Sequence, residues 1–299
     1  MSHAELFLEA LDRKARLFAP SVRSTVDANR ELCSWLLNPL ARWVEAAYGE
    51  TAFDDAARGY AKYCMGVAKG QQVYEQAGHY TPEGMPQIML GVYENDGYMV
   101  PYMLAAILIY AFWPSMVNHI AMFRDEFLRR LPANAKVLEL AAGHGVLSLL
   151  AAEERPDIQI EGSDISPPAV AVANRLLAAS GHAGRVRFAV KDALQTDDPS
   201  GDGKYQGIIS AMLAEHLPDP KPLFTSISQR LSPEGLVFFS TAIESPQRDH
   251  VFEYHQESQP LQMAEAAGLR VTRLVSDAGT APPGSEFLPR ATAMILRRR

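Results

Sequence analysis

A chain of 299 residues, of which 47% are hydrophobic and 21% charged, is long enough for one large core or two ordinary ones and has the composition of a globular protein. Its net charge of -7 argues against a nucleic-acid partner, because phosphate binding needs a concentrated positive surface. Its two cysteines, Cys33 and Cys64, form no CxxC pair, so they predict neither a disulfide framework nor a metal or redox site.

The part of the chain before residue 132 is predicted to be helical, because its apolar residues recur at helical spacing. Pro20, Pro39 and Gly49 are expected to separate the first helices. The helices expected on these grounds span residues up to 19, 21–37, 40–48 and 51–76. Pro132 to Asn134 then marks the boundary between a helical domain, 1–131, and a second domain, 132–299.

The segment from Gly97 to Phe123 contains no Asp, Glu, Lys or Arg, which raises the question of a membrane helix. Pro101 and Pro114 are expected to cut this segment, and the uninterrupted apolar part, 103–113, is too short to span a bilayer. We therefore predict two consecutive buried helices and no membrane partner. The N-terminus shows no secretion signal, so a cytoplasmic protein is expected.

Nine of the eleven tyrosines lie before residue 131. Buried tyrosines need a partner for each hydroxyl, so this domain could line a cavity for an aromatic or oxygenated substrate, with Tyr98 and Tyr102 as contacts. Ordinary core packing is the alternative for the same residues. The helical domain is thus expected either to cover a small-molecule substrate or to serve as core, and it could also form a homodimer.

The stretch from Lys136 to Gly145, KVLELAAGHG, begins as a buried strand and ends in small residues, and the following VLSLLAAEER predicts a helix. Such a strand-to-helix turn faces the edge of a parallel sheet where nucleotide-like ligands bind. Two further predicted strands end at Asp164 and Asp192. Asp164 lies about 20 residues beyond the glycines, where a βαβ unit places an acid that accepts hydrogen bonds from ribose hydroxyls.

Two rival readings of the glycine turn fail on residue spacing. The dinucleotide fingerprint GxGxxG, counted from Ala141, would need a glycine where Val146 stands. A phosphate-binding P-loop would need Lys followed by Ser or Thr after the glycines, and neither pair is present.

The segment Glu139 to Gly145 resembles the first motif of the class I S-adenosylmethionine-dependent methyltransferases, in which an acid precedes alternating small residues. The resemblance covers the chain from about residue 136 onward and implies S-adenosylmethionine as cofactor. It implies that Asp164 holds the ribose, that Asp192 lies near the adenine, and that the glycines approach the methionine part. Ala141 stands where the family usually has its first glycine. The cofactor-binding set expected from the resemblance is Glu139, Ala141, Gly143, Gly145, Asp164, Ile165, Asp192, Ala193 and Ser210.

Strands are further predicted at 205–210 and 236–241, and 270–275 with 291–296 could form a closing antiparallel pair, while 196–203 is a polar loop. This succession again resembles the family, whose sheet ends in a reversed strand. The predicted fold class is therefore α/β, a seven-stranded Rossmann-like methyltransferase sheet preceded by an all-helical N-terminal domain.

Polar residues at the ends of the fourth and fifth strands are the candidates for chemistry. His216 is the first choice for a general base or for a hydrogen-bond partner of the substrate, and packing beneath the cofactor is the alternative. Glu215 and His250 are further catalytic candidates, and Arg248 could bind substrate. His119, a polar residue in an apolar stretch, is either a substrate contact or a core histidine.

The resemblance implies methyl transfer to a small acceptor, as in natural-product methyltransferases. The Asn/Asp-Pro-Pro-Tyr signature of enzymes that methylate nucleobases or glutamine is missing after the fourth strand, where SAMLAEH stands, so oxygen is the favoured acceptor atom. Two alternatives stay open: methylation of a peptide or carrier-bound acid, and a non-catalytic protein that binds the cofactor.

Overall fold

The fold was analysed in a computed structural model, which describes residues 3–195, 204–279 and 284–299. The polar loop predicted for 196–203 lies outside these ranges. Helices come first, and the first strand begins at Lys136. The helices are α1 His3–Lys14, α2 Ala19–Ala28, α3 Arg30–Tyr48, α4 Thr51–Ala77, α5 Met85–Ile88, α6 Asp96–Phe112, α7 Pro114–Met122, α8 Val146–Glu154, α9 Pro167–Ser180, α10 Lys221–Arg230 and α11 Ser258–Ala266.

Short helical turns extend or join some of these helices. π-helical turns follow α5 at Met89–Tyr93 and α7 at Phe123–Phe127, and 3-10 turns lie at Leu128–Arg130 and Ala214–His216. The strands are β1 Lys136–Leu140, β2 Gln159–Asp164, β3 Val186–Val190, β4 Tyr205–Ala211, β5 Leu231–Ile243, β6 Leu269–Ala278 and β7 Arg290–Arg298.

The predicted helix break at Pro39 is wrong. Helix α3 runs through Pro39, and the interruption lies at Asn29, whose backbone is non-helical and whose amide caps α2 through the carbonyl of Thr25. A proline inside a helix costs about 3 kcal/mol. Leu36, Leu37 and Leu40 around it are completely buried, and burying each leucine contributes roughly 2 kcal/mol, which outweighs that cost.

The segment 97–123 forms two helices as predicted, but only one of the two prolines separates them. Pro101 lies inside α6, and the break comes at Trp113 and Pro114, where Trp113 is extended. Across the residues that the structure describes, no single helix is long and apolar enough to cross a membrane. Of the described helices, only α6 taken together with residues 114–130 has the length and composition of a membrane span, and the two segments are bent by 87° relative to each other.

The seven strands form one sheet in the order β3-β2-β1-β4-β5-β7-β6. Strands β1 to β5 are parallel, and β7 runs antiparallel to both β5 and β6, so the predicted reversed pair and the fold class are confirmed. The order changes direction between β1 and β4. In sheets of this kind, ligands bind at that point, beyond the carboxyl ends of the strands.

The helical part and the sheet share buried apolar contacts. Phe123 packs against Phe238 of β5 with ring centroids 5.3 Å apart, and α7 also contacts β6 and β7. The Trp35 indole N–H donates to Glu154 of α8 at 2.9 Å. These contacts hold the N-terminal helices against the sheet and α8, while the division at residue 131 stays a prediction.

Candidate active site

The turn after β1 is held open by small residues and by one carboxylate. Gly143 has a φ of 53°, and its N–H donates to Asp164 Oδ2 at 2.8 Å. A side-chain methyl at Gly143 would lie 3.3 Å from the sulfur of Met103 on α6, so glycine keeps this turn close to the helical wall. The turn, the end of β2 and α6 therefore meet at one place.

Asp164 lies at the carboxyl end of β2, and each of its carboxylate oxygens accepts a hydrogen bond from a backbone N–H. Its Oδ1 accepts from the N–H of Ser166 at 2.8 Å, and its Oδ2 accepts from Gly143. Burial raises the pKa of Asp164, and the N–H donors of Ser166 and Gly143 partly offset that rise. Each oxygen keeps a second lone pair, so the carboxylate can still accept from a ribose hydroxyl.

Glu139 is a buried acid at the opposite side of the turn, only 3% exposed on β1. The hydroxyl of Ser148 donates to its Oε2. Burial raises the pKa of Glu139 to about 7, although hydrogen bonds from Ser148 act in the lowering direction. Its charge near neutral pH therefore depends on what occupies the space next to it.

A cavity of about 210 Å³ opens beside the turn. Its apolar wall consists of methionine and aromatic side chains from the helical part. Its charged lining residues are all acidic, and among the described residues no lysine or arginine lines it. The apolar wall includes Tyr63, Met85, Met89, Tyr93, Met99, Tyr102, Met103, Ile109 and Tyr110, and the acidic residues are Glu139, Asp164, Glu215 and Asp249.

His216, in the turn after β4, is anchored by the backbone of the segment that follows β5. Its Nδ1 lies 3.0 Å from the carbonyl oxygen of Asp249 and 3.2 Å from the hydroxyl of Tyr93. A carbonyl only accepts, so Nδ1 carries the proton and Nε2 keeps its lone pair when the ring is neutral. Burial lowers the pKa of His216, but the Asp249 and Glu215 carboxylates raise it more, and the net direction is upward.

His250 and Glu215 complete the polar end of the cavity. The Nδ1 of His250 donates to the carbonyl of Ser245 at 2.6 Å, and its ring lies 4.8 Å from that of His216 at a right angle. Burial, with the neighbouring His216, lowers the pKa of His250 to about 3, so this ring is neutral. Glu215 is completely buried; its Oε2 accepts from the Thr241 hydroxyl at 2.8 Å, and its Oε1 has no hydrogen-bond partner among the described residues.

Residues 78–94, which we call the strap, cover this end of the cavity and dock on the segment after β5. The N–H of Tyr80 donates to Glu253 at 2.9 Å, and the Tyr80 hydroxyl accepts from the N–H of Ser245 at 2.8 Å. Glu83 forms an ion pair with Arg248 at 3.0 Å. Tyr93 also reaches the cofactor side, because Ser166 donates to its carbonyl.

The cavity brings together nine of the residues predicted from the sequence. They come from the turns after β1, β2, β4 and β5 and from α6, which is the edge that the strand pattern indicated. They are Glu139, Ala141, Gly143, Asp164, Ile165, Glu215, His216, His250 and Tyr102.

Other predicted residues do not line the cavity. Gly145 does not face it, because a methyl there would lie 2.5 Å from the ring of Phe188, and its role is close packing behind the turn. Asp192 accepts the N–H of Leu194 at 2.8 Å, at the end of β3. Ala193 is buried beside it, and Ser210 is completely buried at the end of β4.

The remaining substrate candidates are also placed elsewhere. His119 is completely buried on α7, which packs on β6 and β7, and burial lowers its pKa to about 4. That is the core position stated as the alternative. Arg248 points to the strap, where it pairs with Glu83, and Tyr98 stacks outside Tyr102 at 5.6 Å.

Several lining residues were not singled out as site residues from the sequence, although Tyr93 is one of the nine tyrosines of the helical part for which a cavity or core packing was predicted. Asp249 stood only among the polar residues after the fifth strand, and the methionines of the apolar wall gave no separate signal. Tyr93 lies 123 residues from its partner His216 and 156 from Asp249. A clue was available in the acid-histidine pairs Glu215-His216 and Asp249-His250, which follow two neighbouring strands.

The residues around the turn fit S-adenosylmethionine. The cofactor carries a positive sulfonium and an ammonium group, and the cavity offers Glu139 and Asp164 with no lysine or arginine described in its lining. Gly143 leaves the backbone approachable, and Ile165 next to Asp164 is 44% exposed, which suits an aromatic base lying against it. Bound there, the cofactor supplies an activated methyl group to the acid-lined cavity.

Comparisons with known proteins agree with this site. A family model described as "Methyltransferase domain" matches residues 114–274, more than half of the chain. A ubiquinone biosynthesis O-methyltransferase of Nitrosospira multiformis is 32% identical over 114 residues, 38% of this chain and 46% of the relative. A release factor glutamine methyltransferase of Neisseria gonorrhoeae is 42% identical over 76 residues, 25% of this chain and 27% of the relative. The chain thus spans half or less of these relatives' length.

A solved structure shares the fold. The phosphoethanolamine N-methyltransferase 2 of Haemonchus contortus, solved with S-adenosyl-L-methionine, superposes with a TM-score of 0.54 at 15% identity, covering 73% of this chain and 60% of that one. The family match, the sheet order and the acid-flanked turn agree with one another. The chain belongs to the class I methyltransferases, enzymes whose cofactor is S-adenosylmethionine.

Proposed function

We propose that the enzyme transfers the methyl group of S-adenosylmethionine to a hydroxyl oxygen of a small, largely apolar and oxygenated metabolite. The observation that carries this proposal is the division of the cavity. One wall consists of methionine and tyrosine side chains, and the opposite end carries His216, Asp249 and Glu215 beside the turn that approaches the cofactor.

The apolar wall favours an aromatic or similarly flat acceptor. Methionine side chains adapt to irregular shapes and contact aromatic rings favourably. Tyr63 and Tyr102 lie with ring centroids 5.6 Å apart in this wall. A ring placed against them would turn its hydroxyl toward the polar end, where His216 presents the lone pair of Nε2.

The chain's own residues would hold and align the acceptor. In methyl transfer the oxygen forms a bond to the methyl carbon, the bond between carbon and sulfur breaks with its electron pair going to sulfur, and the hydroxyl proton passes to Nε2 of His216. His216 is the residue we place against that hydroxyl, and Asp249 and Tyr93 keep its ring in position. The covered cavity excludes water from competing for the methyl group.

A cavity that the strap covers at one end also favours this acceptor class over the two alternatives. A peptide or carrier-bound acid would need an open groove, whereas the strap covers the polar end through Glu83, Tyr80 and Tyr93. A cofactor-binding protein without turnover would not need a buried histidine and carboxylate pair at the acceptor end.

The proposal is tested with a panel of phenols and quinols in the presence of labelled S-adenosylmethionine. We expect methyl transfer to the oxygen of at least one neutral aromatic hydroxyl compound, together with binding of S-adenosylhomocysteine measured by calorimetry. His216→Ala should lower turnover at least about 100-fold while S-adenosylhomocysteine still binds. Cofactor binding without transfer to any panel member, combined with transfer to a peptide or carrier-bound acid, would refute the proposed acceptor class.

A further inference from the structure

Three side chains at the polar end of the cavity form a cluster with the composition of a metal site. The ligand atoms of Glu215, His216 and His250 all lie within 4.8 Å of one another. Two imidazoles and one carboxylate are a donor set used for divalent transition metals, whereas Mg²⁺ prefers oxygen ligands. The cysteine pattern of the sequence predicted no metal, and this cluster does not depend on cysteine.

The hydrogen bonds behind these ligands are those that metal-binding residues need. The Nδ1–H of His250 donates to the Ser245 carbonyl, and that of His216 faces the Asp249 carbonyl, so both rings keep Nε2 for a ligand. Metal-binding histidines almost always have such a partner on the second nitrogen. Glu215 is held in the same way, because the Thr241 hydroxyl donates to its Oε2.

One oxygen of the cluster is buried without a hydrogen-bond partner among the described residues. Glu215 Oε1 is buried, and no described residue donates a hydrogen bond to it. Leaving a carboxylate oxygen buried and unpaired costs several kcal/mol unless a donor or a cation satisfies it. The Nδ1–H of His250 donates to the Ser245 carbonyl and therefore supplies no hydrogen bond to this oxygen.

The charge of the cavity favours a second cation besides the cofactor. Glu139 and Asp164 lie at the cofactor turn, and Glu215 and Asp249 lie at the other end. Arg248, the nearest arginine in sequence, is engaged by Glu83 outside the cavity. Asp249 has His216 as a partner, with its Oδ2 3.4 Å from Nδ1, so Glu215 is the carboxylate at the acceptor end that is left for a positively charged occupant.

We propose that Glu215, His216 and His250 bind a divalent transition-metal ion at the acceptor end of the cavity. Bonds of about 2.1 Å to a tetrahedral ion place two ligand atoms about 3.4 Å apart, so the cluster would close by at most about 1.4 Å. The inference deepens the proposed function: with an ion bound, His216 contacts the acceptor's oxygen through that ion, which would lower the pKa of the hydroxyl.

The test uses the 299-residue chain, freed of metal with EDTA and dialysed, without cofactor or acceptor. Calorimetric titration with ZnCl₂ should give one ion per chain with a dissociation constant of about 10 μM or tighter, and MgCl₂ should bind at least 10-fold more weakly. Co²⁺ should bind the same site and give visible absorption bands typical of four or five ligands.

Variants decide whether the ion occupies this cluster. Glu215→Gln and His250→Ala should each weaken Zn²⁺ binding at least 10-fold, because each removes one of three ligands. His255→Ala is the matched control, since His255 is an exposed histidine on the same segment, paired with Glu253 at 3.6 Å. S-adenosylhomocysteine binding, measured for every variant, reports whether the cofactor site is intact.

Two outcomes would overturn the proposal. One is the absence of Zn²⁺ and Co²⁺ binding below 1 mM in a protein that binds S-adenosylhomocysteine. The other is Zn²⁺ binding that persists in Glu215→Gln and His250→Ala but disappears in His255→Ala, which would place the ion at the surface. Neither outcome would contradict the proposed methyl transfer, because His216 would then contact the acceptor directly. Failure of methyl transfer in a protein that binds the metal would refute only the proposed function.

Discussion

Glu139 is the residue whose replacement should separate stability from cofactor binding. Burial raises the pKa of Glu139 from 4.5 to about 7 in the folded protein. A difference of that size corresponds to about 3 kcal/mol, because one pKa unit is about 1.4 kcal/mol. The folded state holds this proton more tightly than the unfolded state does, so the stabilising contribution is complete below pH 4.5 and is lost as the pH rises through 7.

Glu139→Gln removes the titration while it keeps the shape of the side chain and an oxygen for the Ser148 hydroxyl. We expect the free energy of unfolding of the variant, relative to the wild type, to rise by up to about 3 kcal/mol between pH 5 and pH 8. Urea unfolding at several pH values measures this difference directly. Glu50→Gln, the same substitution at an exposed position before α4, is the control.

The same substitution should weaken the cofactor site. At pH 8 the carboxylate of Glu139 faces a cavity with no described lysine or arginine in its lining, so it favours a cationic cofactor, and the neutral glutamine does not. We expect Glu139→Gln to bind S-adenosylmethionine at least about 10-fold more weakly at pH 8, by calorimetry. A stability difference that stays constant from pH 5 to pH 8 would show that Glu139 is not buried as an uncompensated acid, and the reasoning would fail.

Two further predictions concern the turn. Asp164→Ala should weaken S-adenosylhomocysteine binding by about 2 to 4 kcal/mol in calorimetry, because it removes one to two charge-assisted hydrogen bonds, and an unchanged affinity would reject Asp164 as the ribose ligand. Gly145→Ala should lower the free energy of unfolding by about 3 kcal/mol or more, because the added methyl group would lie 2.5 Å from the ring of Phe188. The matched control is Gly181→Ala, where φ is 78° and no atom lies near the added methyl group, and this change should cost only about 1 kcal/mol. Equal losses in thermal unfolding would contradict the packing role of Gly145.

The sheet could be predicted because its signals are local. Apolar runs such as Tyr205–Ala211 mark mostly buried strands, and small residues mark the turn after β1, so these elements lie where the pattern placed them. The reversed β6 and β7 pair was predicted from the runs 270–275 and 291–296, and the resemblance to the family agreed with it. Helix ends were less predictable, since Pro39 and Pro101 lie inside helices that burial of leucines and other apolar side chains keeps continuous.

The site could be predicted only as far as strand ends determine it. His216, Glu215 and His250 follow β4 and β5, and parallel strands end at one edge, so their proximity follows from topology. The orientation of helical residues does not follow in this way. His119 lies on the face of α7 turned to β6 and β7, and Arg248 is drawn to the strap by Glu83, a partner 165 residues away.

The backbone at the ends of β1, β4 and β5 carries a signal of the site that residue types alone do not give. Ala141, Met212 and Glu244 are the residues that directly follow these strands, and their φ values are 53°, 52° and 49°. A non-glycine residue in this region costs roughly 1 to 2 kcal/mol, and such conformations persist where the surroundings impose them, often at functional sites. The N–H of Met212 donates to the carbonyl oxygen of Ser240, and the N–H of Glu244 donates to that of Tyr254. These hydrogen bonds hold the two residues in the left-handed conformation.

Only Ala141 could be singled out from the sequence, because it replaces a family glycine, whereas methionine and glutamate have no preference for this conformation. The three turns bend the chain sharply at one edge of the sheet, and Ala141 and Met212 both line the cavity. Ala141 thus adopts the left-handed conformation that glycine would adopt freely, although alanine carries a methyl group. The departure from the family motif changes the side chain of the turn and leaves the path of its backbone in the left-handed region, which is why the cofactor site is still formed.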